Sequence, residues 1–264
     1  MGGLKFSACI EMLYTEAPFL ERIDRAARSG FQAVEFWNWD NKDLPAIRQK
    51  ATACGVEIAV FQGNMGGTLI DAHDRARLVT GISNSLTKAQ EAGVGRVILL
   101  TDELGSDRSV KPLPHQLTAE EKRANVLAGL KELTSLAEQA GVILLLEPLN
   151  SLVDHKGYYL DHSIPGFELV REVGSRNLRL LYDIYHMQVM EGNILATLKQ
   201  NIDLIGHIHV ADVPGRHQPG TGELNYRNIL WQLEDLGYGG YIGFEFEPIG
   251  LSEDIMSAVF AMLK

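Results

Sequence analysis

The chain has 264 residues, a formal charge of −10 and 45% hydrophobic residues, which is typical of a globular protein and excludes a disordered or collagen-like chain. No apolar run approaches the ~20 residues that cross a bilayer, and the negative charge argues against nucleic acid and anionic membranes as partners. Cys9 and Cys54 are too few for a disulfide framework or a thiolate metal cage. The N-terminal sequence lacks the apolar core of a secretion signal, so we expect a cytoplasmic protein, while its oligomeric state, including a homo-oligomer, stays open.

Short aliphatic runs alternate with longer amphipathic stretches along the whole chain. Most of these runs are continuously apolar, which is typical of parallel strands that are buried on both faces. Eight βα units without a linker predict one (β/α)₈ TIM barrel domain over residues 1–264. A doubly wound open sheet is the alternative, although no Gly-rich dinucleotide turn follows the first run. The predicted strands cover 5–10, 33–37, 56–61, 96–101, 142–147, 178–183, 205–211 and 241–246.

Amphipathic stretches that stop at a glycine predict helices between these strands. Apolar residues in 17–29 recur at helical spacing, and Gly30 follows them. The segments 44–53, 119–140 and 225–236 also approach a glycine, which supplies the left-handed residue that closes a helix. The irregular stretch 102–117 predicts a long loop over the barrel mouth.

Four consecutive predicted strands each carry a potential metal ligand at or near their carboxyl ends. These residues are Glu147, Asp183, His209 and Glu245. The active site of a barrel enzyme lies at this end, and buried carboxylates are costly unless they are paired or bound to a metal. Three carboxylates and one imidazole predict one divalent ion. Mn²⁺ or Mg²⁺ suits an oxygen-rich set best, with Co²⁺ and Zn²⁺ as alternatives.

Each ligand position also has an ordinary structural interpretation. Glu147 could be a solvated strand end, and Asp183 could cap the helix that follows it. An isolated histidine on a strand is more often a hydrogen-bonded core residue than a ligand. His207 competes with His209 because both point to the same face of the strand, and Glu247 competes with Glu245 for the same reason. The hypothesis therefore depends on four residues agreeing with one geometry.

Further residues are predicted to contact a substrate at the same mouth. His186 lies about one helical turn after Asp183. Arg216, in the turn-rich loop 214–223, could clamp a carboxylate with both of its terminal nitrogens. Trp37, with Trp39, could form an aromatic wall, and Asn64 follows the third strand. Weaker acidic candidates at the mouth are Glu11, Glu35 and Asp102.

Motifs along nearly the whole chain resemble the hydroxypyruvate isomerase family of the xylose-isomerase-like TIM-barrel superfamily. They are TEAPFLERIDRAARSGFQAVEFW, LLLEPLN, YDIYHMQVMEGN, GHIHVADVPGRHQPGTGELNY and GYIGFEFEP. The resemblance implies a metal-dependent barrel with ligands at Glu147, Asp183, residue 209 and Glu245. It also implies that Glu147 and Glu245 form the acid/base pair.

Position 209 departs from the family pattern, in which this residue is commonly Gln. A His here resembles the ketose 3-epimerase branch of the superfamily, which also uses a His and an Arg that match His186 and Arg216. The loop 62–70 and the segment FWNWDNKDL differ from the family pattern as well. The resemblance therefore leaves the substrate and the reaction subtype open.

Two enzymatic hypotheses follow. The first is an isomerase of a small hydroxy-carbonyl compound, such as hydroxypyruvate to tartronate semialdehyde, through an enediolate. The second is a 3-epimerase of a free C4–C6 ketose that uses the same metal and glutamates. A DNA-repair endonuclease is disfavoured because the ends of strands two to four carry Trp37, Gln62 and Thr101 in place of extra metal ligands. A binding protein without activity is disfavoured by the intact carboxylate set.

Overall fold

The computed structural model describes residues 3–263, in which eight parallel strands pair in sequence order and close into a barrel through β1 and β8. The closed order excludes the open-sheet alternative, which would leave two edge strands. The strands are β1 (Lys5–Cys9), β2 (Ala33–Asn38), β3 (Glu57–Gln62), β4 (Arg96–Leu99), β5 (Ile143–Leu146), β6 (Leu178–Asp183), β7 (Ile205–Val210) and β8 (Tyr241–Phe244).

Helices lie between consecutive strands and follow the last one. None of those in residues 3–263 combines the length and apolar character needed to cross a membrane. Two 3₁₀ turns, Ala72–Asp74 and Ile202–Leu204, precede α3 and β7. The helices are α1 (Phe19–Arg28), α2 (Leu44–Cys54), α3 (Arg75–Ala92), α4 (Ala119–Ala140), α5 (Ser163–Val173), α6 (Ile184–Met190), α7 (Ile194–Asn201), α8 (Tyr226–Asp235) and α9 (Ser252–Leu263).

The glycine signals correctly located the ends of several helices. Gly55, Gly93 and Gly141 have φ of 70°, 72° and 67°, and each is the left-handed residue after its helix. This conformation costs glycine little because it has no Cβ. The four helices predicted with bounds are all present, and each differs from its predicted range by no more than two residues at either end.

The eight predicted strands are all present, but two of them stop before the residues that matter most. β5 ends at Leu146 and β8 at Phe244, so Glu147 and Glu245 follow their strands instead of lying within them. Each still donates its backbone N–H to the neighbouring strand end, to the carbonyls of Leu99 (3.1 Å) and Val210 (3.2 Å) respectively. The backbone hydrogen bonds therefore fix both glutamates at the carboxyl end of the barrel.

A small residue in β8 makes room for a charged side chain inside the barrel. Glu35, on β2, is buried and lies against Gly243. A Cβ at position 243 would lie 2.3 Å from Glu35 Oε1, which is closer than any real carbon–oxygen contact. Glycine at this position therefore allows the carboxylate to cross the barrel interior.

We expect Gly243→Ala to destabilise the protein by about 1–3 kcal/mol, because an overpacked interior forces side chains off their preferred geometry. Urea unfolding measures this difference. Gly239→Ala is the matched control, since a Cβ there meets no atom within 4 Å. Equal stability of the two variants would contradict the close approach between Gly243 and Glu35.

Candidate active site

The four predicted metal-ligating side chains converge at the carboxyl ends of β5 to β8. Glu147, Asp183, His209 and Glu245 are all buried, and each offers a ligand atom within 4.8 Å of those of the others. His209 Nδ1 lies at the centre, 3.4 Å from Glu147 Oε1, 3.3 Å from Glu245 Oε2 and 3.9 Å from Asp183 Oδ2. These four residues thus agree with one geometry, as the sequence pattern predicts.

Asp183 both caps a helix and faces the cluster. Its Oδ1 accepts hydrogen bonds from the backbone N–H groups of Tyr185 (2.8 Å) and His186 (3.2 Å), at the start of α6. Its Oδ2 is directed to His209 and His186. The capping interpretation and the ligand interpretation are therefore compatible, because the cap holds the carboxylate in a fixed orientation.

A second layer of charged groups lies below the cluster. Glu35 Oε1 lies 2.9 Å from His209 Nε2, and Glu35 Oε2 lies 3.0 Å from His207 Nε2. A carboxylate beside Nε2 favours a proton on that nitrogen and leaves Nδ1 free to bind a metal. His207 thus lies one layer deeper than His209 and does not belong to the metal-ligating group that contains Glu147, Asp183 and Glu245.

The ambiguity between Glu245 and Glu247 is also resolved. Glu245 is buried in the cluster, whereas Glu247 is exposed and uses its backbone to bind the loop after β7. Its N–H donates to the Arg216 carbonyl at 2.8 Å. The two glutamates therefore diverge because the chain leaves the barrel after β8.

His186 presents its Nε2 atom to the cluster. The backbone N–H of Asn150 donates to His186 Nδ1 at 3.0 Å, so the neutral ring carries its proton on Nε2. This Nε2 is buried without a hydrogen-bond partner and lies 3.5 Å from Asp183 Oδ2. Burial and the charge of Arg216 lower the pKa of His186 well below its usual range. His186 is therefore a neutral donor that is held ready at the site.

Arg216 supplies positive charge to the carboxylates. Its NH2 group lies 2.6 Å from Glu245 Oε2 and 3.7 Å from Asp183 Oδ2, in a buried position. Asp212 holds the surrounding loop by accepting from the N–H groups of Gly220 (2.8 Å) and Leu224 (3.1 Å). Arg216 is therefore placed by an ordered loop and is already engaged with two acidic side chains.

The two predicted catalytic carboxyl groups have opposite electrostatic surroundings. Burial raises the pKa of Glu147 to about 7, although His209 opposes this. Burial also acts to raise the pKa of Glu245, but His209 and Arg216 outweigh it and hold that pKa well below its usual range. Pairs of carboxyl groups that differ in this way are typical of acid/base sites.

A cavity of about 560 Å³ opens above the cluster. Trp37 lines it and donates from its indole N–H to Glu245 Oε1 at 2.7 Å. Asn64 also lines it, but its side chain binds the backbone of Leu100 through both of its polar atoms. Trp39 is not in the wall, since it donates to Ser85 Oγ at 2.8 Å.

The three weaker acidic candidates have different surroundings. Glu11 pairs with Lys42 at 2.6 Å, outside the cavity wall. Asp102 lines the cavity, and burial raises its pKa. Glu35 supports His209 from below and is not itself at the mouth. Sequence patterns could not separate these roles, because all three residues are acidic and lie at or near strand ends.

The donor set fits a divalent cation. His209 Nδ1 is buried and has no hydrogen-bond partner, although three carboxylates surround it. Buried carboxylates at this spacing repel each other unless a cation lies between them. Three oxygen ligands with one imidazole suit Mn²⁺ or Mg²⁺, with Co²⁺ and Zn²⁺ also compatible.

Another group of ligand-type side chains has a different setting. Asp71, His73 and His115 lie outside the barrel between two loops, and both histidines are exposed. Asp71 caps the 3₁₀ turn by accepting from the His73 N–H at 2.9 Å. Among residues 3–263, the four-residue cluster is thus the group with four buried ligand-type side chains, and two of them, Glu147 and Glu245, line the cavity.

The buried Glu35 predicts acid sensitivity. Burial acts to raise its pKa, but His207 and His209 outweigh it and lower the pKa from its ordinary 4.5 to about 2. The carboxylate thus stabilises the folded state above pH 4.5, and this contribution is lost as the pH falls from about 4.5 towards 2.

We expect Glu35→Gln to lower the free energy of unfolding at pH 7 by up to roughly 3 kcal/mol, and by less at each step towards pH 2. Urea unfolding at several pH values, with a chelator present, measures both quantities. Glu168→Gln, at an exposed carboxylate on α5, is the control. If the free energies of unfolding of wild type and Glu35→Gln differ by the same amount at every pH, this role is contradicted.

Curated relatives match almost the whole chain. A 2-oxo-tetronate isomerase from Cupriavidus necator is 34% identical over 92% of this chain and 93% of its own. Hydroxypyruvate isomerase from Escherichia coli is 32% identical over 93% of this chain and 94% of its own. Each match therefore covers more than nine tenths of both chains.

Solved structures share the fold at lower identity. A structure titled AP endonuclease, family 2, from Brucella melitensis has a TM-score of 0.88 and 24% identity, and covers 98% of both chains. D-psicose 3-epimerase from Clostridium cellulolyticum has a TM-score of 0.80 and 17% identity, and covers 99% of this chain and 100% of its own. The family model for the xylose isomerase-like TIM barrel matches residues 23–264. The chain therefore belongs to the xylose isomerase-like TIM barrel family and, within it, to the hydroxypyruvate isomerase family.

Proposed function

We propose that the protein is a metal-dependent isomerase of a small hydroxy-keto acid, which converts hydroxypyruvate to tartronate semialdehyde or acts on a close 2-oxo acid or sugar analogue. The observation that carries this proposal is the meeting of Glu147, Asp183, His209 and Glu245 beneath one cavity. The names of the curated relatives support the substrate class. The charge of −10 favours small metabolites over nucleic acid or membranes, and we place the protein in the cytoplasm.

Glu147, Asp183, His209 and Glu245 would hold the metal, because they supply the only four-membered group of buried ligand atoms in residues 3–263. When bound, the divalent ion acts as a Lewis acid that lowers the energy of negative charge on the substrate oxygens. Glu35 lies beside Nε2 of His209, which leaves Nδ1 of the same ring available to bind the metal. The surrounding residues then orient the substrate and move its protons.

Glu147 and Glu245 carry the proton transfer. One carboxylate removes the proton from the hydroxylated carbon of the substrate, and the electron pair of that C–H bond forms the C=C bond of an enediolate. The other carboxyl group gives a proton to the former carbonyl carbon. The hydroxyl proton passes between the two oxygens, so that the product is an isomer. The glutamates come from β5 and β8 and can therefore flank the substrate.

Other residues of the cavity orient the substrate. His186 offers its buried Nε2–H as a donor to a substrate oxygen. Trp37 covers one side and fixes Glu245 through its indole N–H. Arg216 keeps Glu245 ionised by direct contact. Asn64 holds the end of β4 and shapes the wall instead of offering a free amide.

The alternative function is 3-epimerisation of a free C4–C6 ketose by the same metal and glutamates. In that reaction both carboxyl groups act at one carbon, from opposite faces. The observation that favours it is the imidazole of His209 at the centre of the ligand set, with His186 and Arg216 beside it. The fold shared with D-psicose 3-epimerase is compatible with this chemistry.

Replacement of either acid/base residue tests the mechanism. We expect Glu147→Gln and Glu245→Gln each to lower kcat by roughly 10²- to 10⁴-fold, because a general acid or base is lost. Metal analysis and unfolding of each variant show whether loss of the ion or of the fold explains the change. Glu247→Gln, at the exposed neighbour, should leave kcat unchanged. Full turnover by Glu147→Gln with metal bound would refute the mechanism.

A substrate panel separates the two functions. We expect turnover of hydroxypyruvate or 2-oxo-tetronate, loss of turnover after treatment with a chelator, and recovery with Mn²⁺ or Mg²⁺. Product analysis by NMR should show an aldehyde formed from hydroxypyruvate, or a 3-oxo acid formed from 2-oxo-tetronate. If the protein epimerises C4–C6 ketoses and turns over neither acid, the isomerase proposal is refuted and the epimerase is supported instead.

A further inference from the structure

One arginine at the cavity mouth has no acidic partner. Arg108 lies in the loop between β4 and α4 and lines the cavity. Within residues 3–263, no carboxylate forms an ion pair with its guanidinium, and no acceptor receives a hydrogen bond from it. The guanidinium lies over the Trp37 ring, 5.9 Å from its centroid. Arg108 therefore leaves its full set of donors available at the mouth.

The other cationic residues of the cavity are already paired. Arg77 binds Asp74 at 2.8 Å and also contacts Glu103. Lys111 binds Glu103 at 2.8 Å. At the base of the cavity, Arg216 is occupied by two carboxylates of the cluster. Of the three arginines and one lysine that line the cavity, Arg108 is the one that is free to bind an incoming anion.

The backbone of Arg108 is held in a conformation that non-glycine residues seldom adopt. Its φ is 64°, in the left-handed region. Its N–H donates to the Gly105 carbonyl at 2.9 Å, and its own carbonyl lies 2.9 Å from Nδ1 of the buried His155. Strained residues that the surroundings hold in place are frequent at ligand sites. The loop is therefore tied to the cavity wall through the backbone of Arg108, while the residue itself is exposed at the mouth.

A short path connects Arg108 to the reacting groups. Its guanidinium lies on the Trp37 ring, and the N–H of the same indole lies 2.7 Å from Glu245 Oε1. The Trp37 indole thus contacts both the free cation and an acid/base residue. A small acid could place its reacting carbons over the cluster and its carboxylate at Arg108.

We propose that Arg108 binds the carboxylate of the substrate and thereby selects hydroxy-keto acids over neutral ketoses. This inference rests on the proposed function and specifies its substrate class. A guanidinium matches a carboxylate because two parallel N–H groups can donate to its two oxygens. Arg216, which the sequence suggested for this role, balances the charge of the catalytic carboxylates instead.

Binding of tartronate tests the inference without turnover, because this small acid has no ketone or aldehyde group that could be isomerised. We expect Arg108→Gly to weaken tartronate binding to the metal-loaded protein by roughly 10- to 100-fold, as measured by calorimetry. Glycine adopts the φ of 64° without strain, so the substitution removes the side chain and keeps the loop conformation. Arg108→Lys should recover part of the affinity.

Lys111→Ala is the matched control, because it removes a paired positive charge from the same loop. We expect little change in tartronate binding for this variant. Equal binding by wild type and Arg108→Gly, or an equal loss in Lys111→Ala, would overturn the role of Arg108.

Turnover separates this inference from the proposed function. Dihydroxyacetone differs from hydroxypyruvate only by a hydroxymethyl group in place of the carboxylate. In Arg108→Gly we expect KM for hydroxypyruvate to rise roughly 10- to 100-fold, with little change in kcat or in the kinetics of dihydroxyacetone. A wild-type protein that turns over no keto acid refutes the proposed function. A wild-type protein that does so, with an unchanged KM in Arg108→Gly, refutes only this inference.

Discussion

Mutual repulsion among buried carboxylates is the constraint on which the site depends. Glu147, Asp183 and Glu245 lie around a single imidazole at one end of the barrel, away from water. Such a group is unstable without positive charge, since desolvation strengthens every interaction between charges. Arg216 supplies part of this charge, and the free Nδ1 of His209 shows where a cation would complete it. We therefore expect folding of the barrel end to be coupled to binding of a cation at the proposed site.

The layer beneath the cluster, formed by Glu35 and His207, acts on one member of the cluster, His209. Glu35 contacts both His207 and His209, so one carboxylate places negative charge beside Nε2 of the central imidazole. It reaches them only because Gly243 leaves space in β8. An alanine at position 243 would thus affect His209, a proposed metal ligand on β7, through the carboxylate of Glu35. The geometry at the mouth is consequently set by packing in the barrel interior as well as by the loops.

The fold was predictable from the sequence because its signals are local. Continuous aliphatic runs and glycine helix ends recur in most βα units, and each is determined by a few adjacent residues. The convergence of Glu147, Asp183, His209 and Glu245 was predictable for a related reason, since the barrel brings neighbouring strand ends together. The distinction between His207 and His209 needed the structure, in which His209, and not His207, lies with Glu147, Asp183 and Glu245.

The remaining parts of the site depend on contacts between distant segments and could not be predicted. Nothing near Asn150 indicates that its backbone N–H fixes the proton of His186, 36 residues away. Asp212 follows β7 in an ordinary turn sequence, and only its hydrogen bonds show that it orders the loop around Arg216. Arg108 lies in an irregular stretch where composition indicated a loop and no particular role.

Both candidate reactions use the same cluster of Glu147, Asp183, His209 and Glu245, while other residues at the cavity mouth position the substrate. The sequence and the fold therefore leave the reaction subtype open. Isomerisation and epimerisation need the same cation and the same two carboxyl groups, so residues such as Glu147 and Glu245 cannot distinguish them. The distinction depends on which substrate carbons lie between the glutamates, and groups farther from the centre decide that position. A charged end of the substrate held by Arg108 would place the carbons differently from a neutral ketose that contacts only Trp37 and His186. In this proposal, the choice of substrate depends on the loop after β4, which carries none of the four proposed metal ligands.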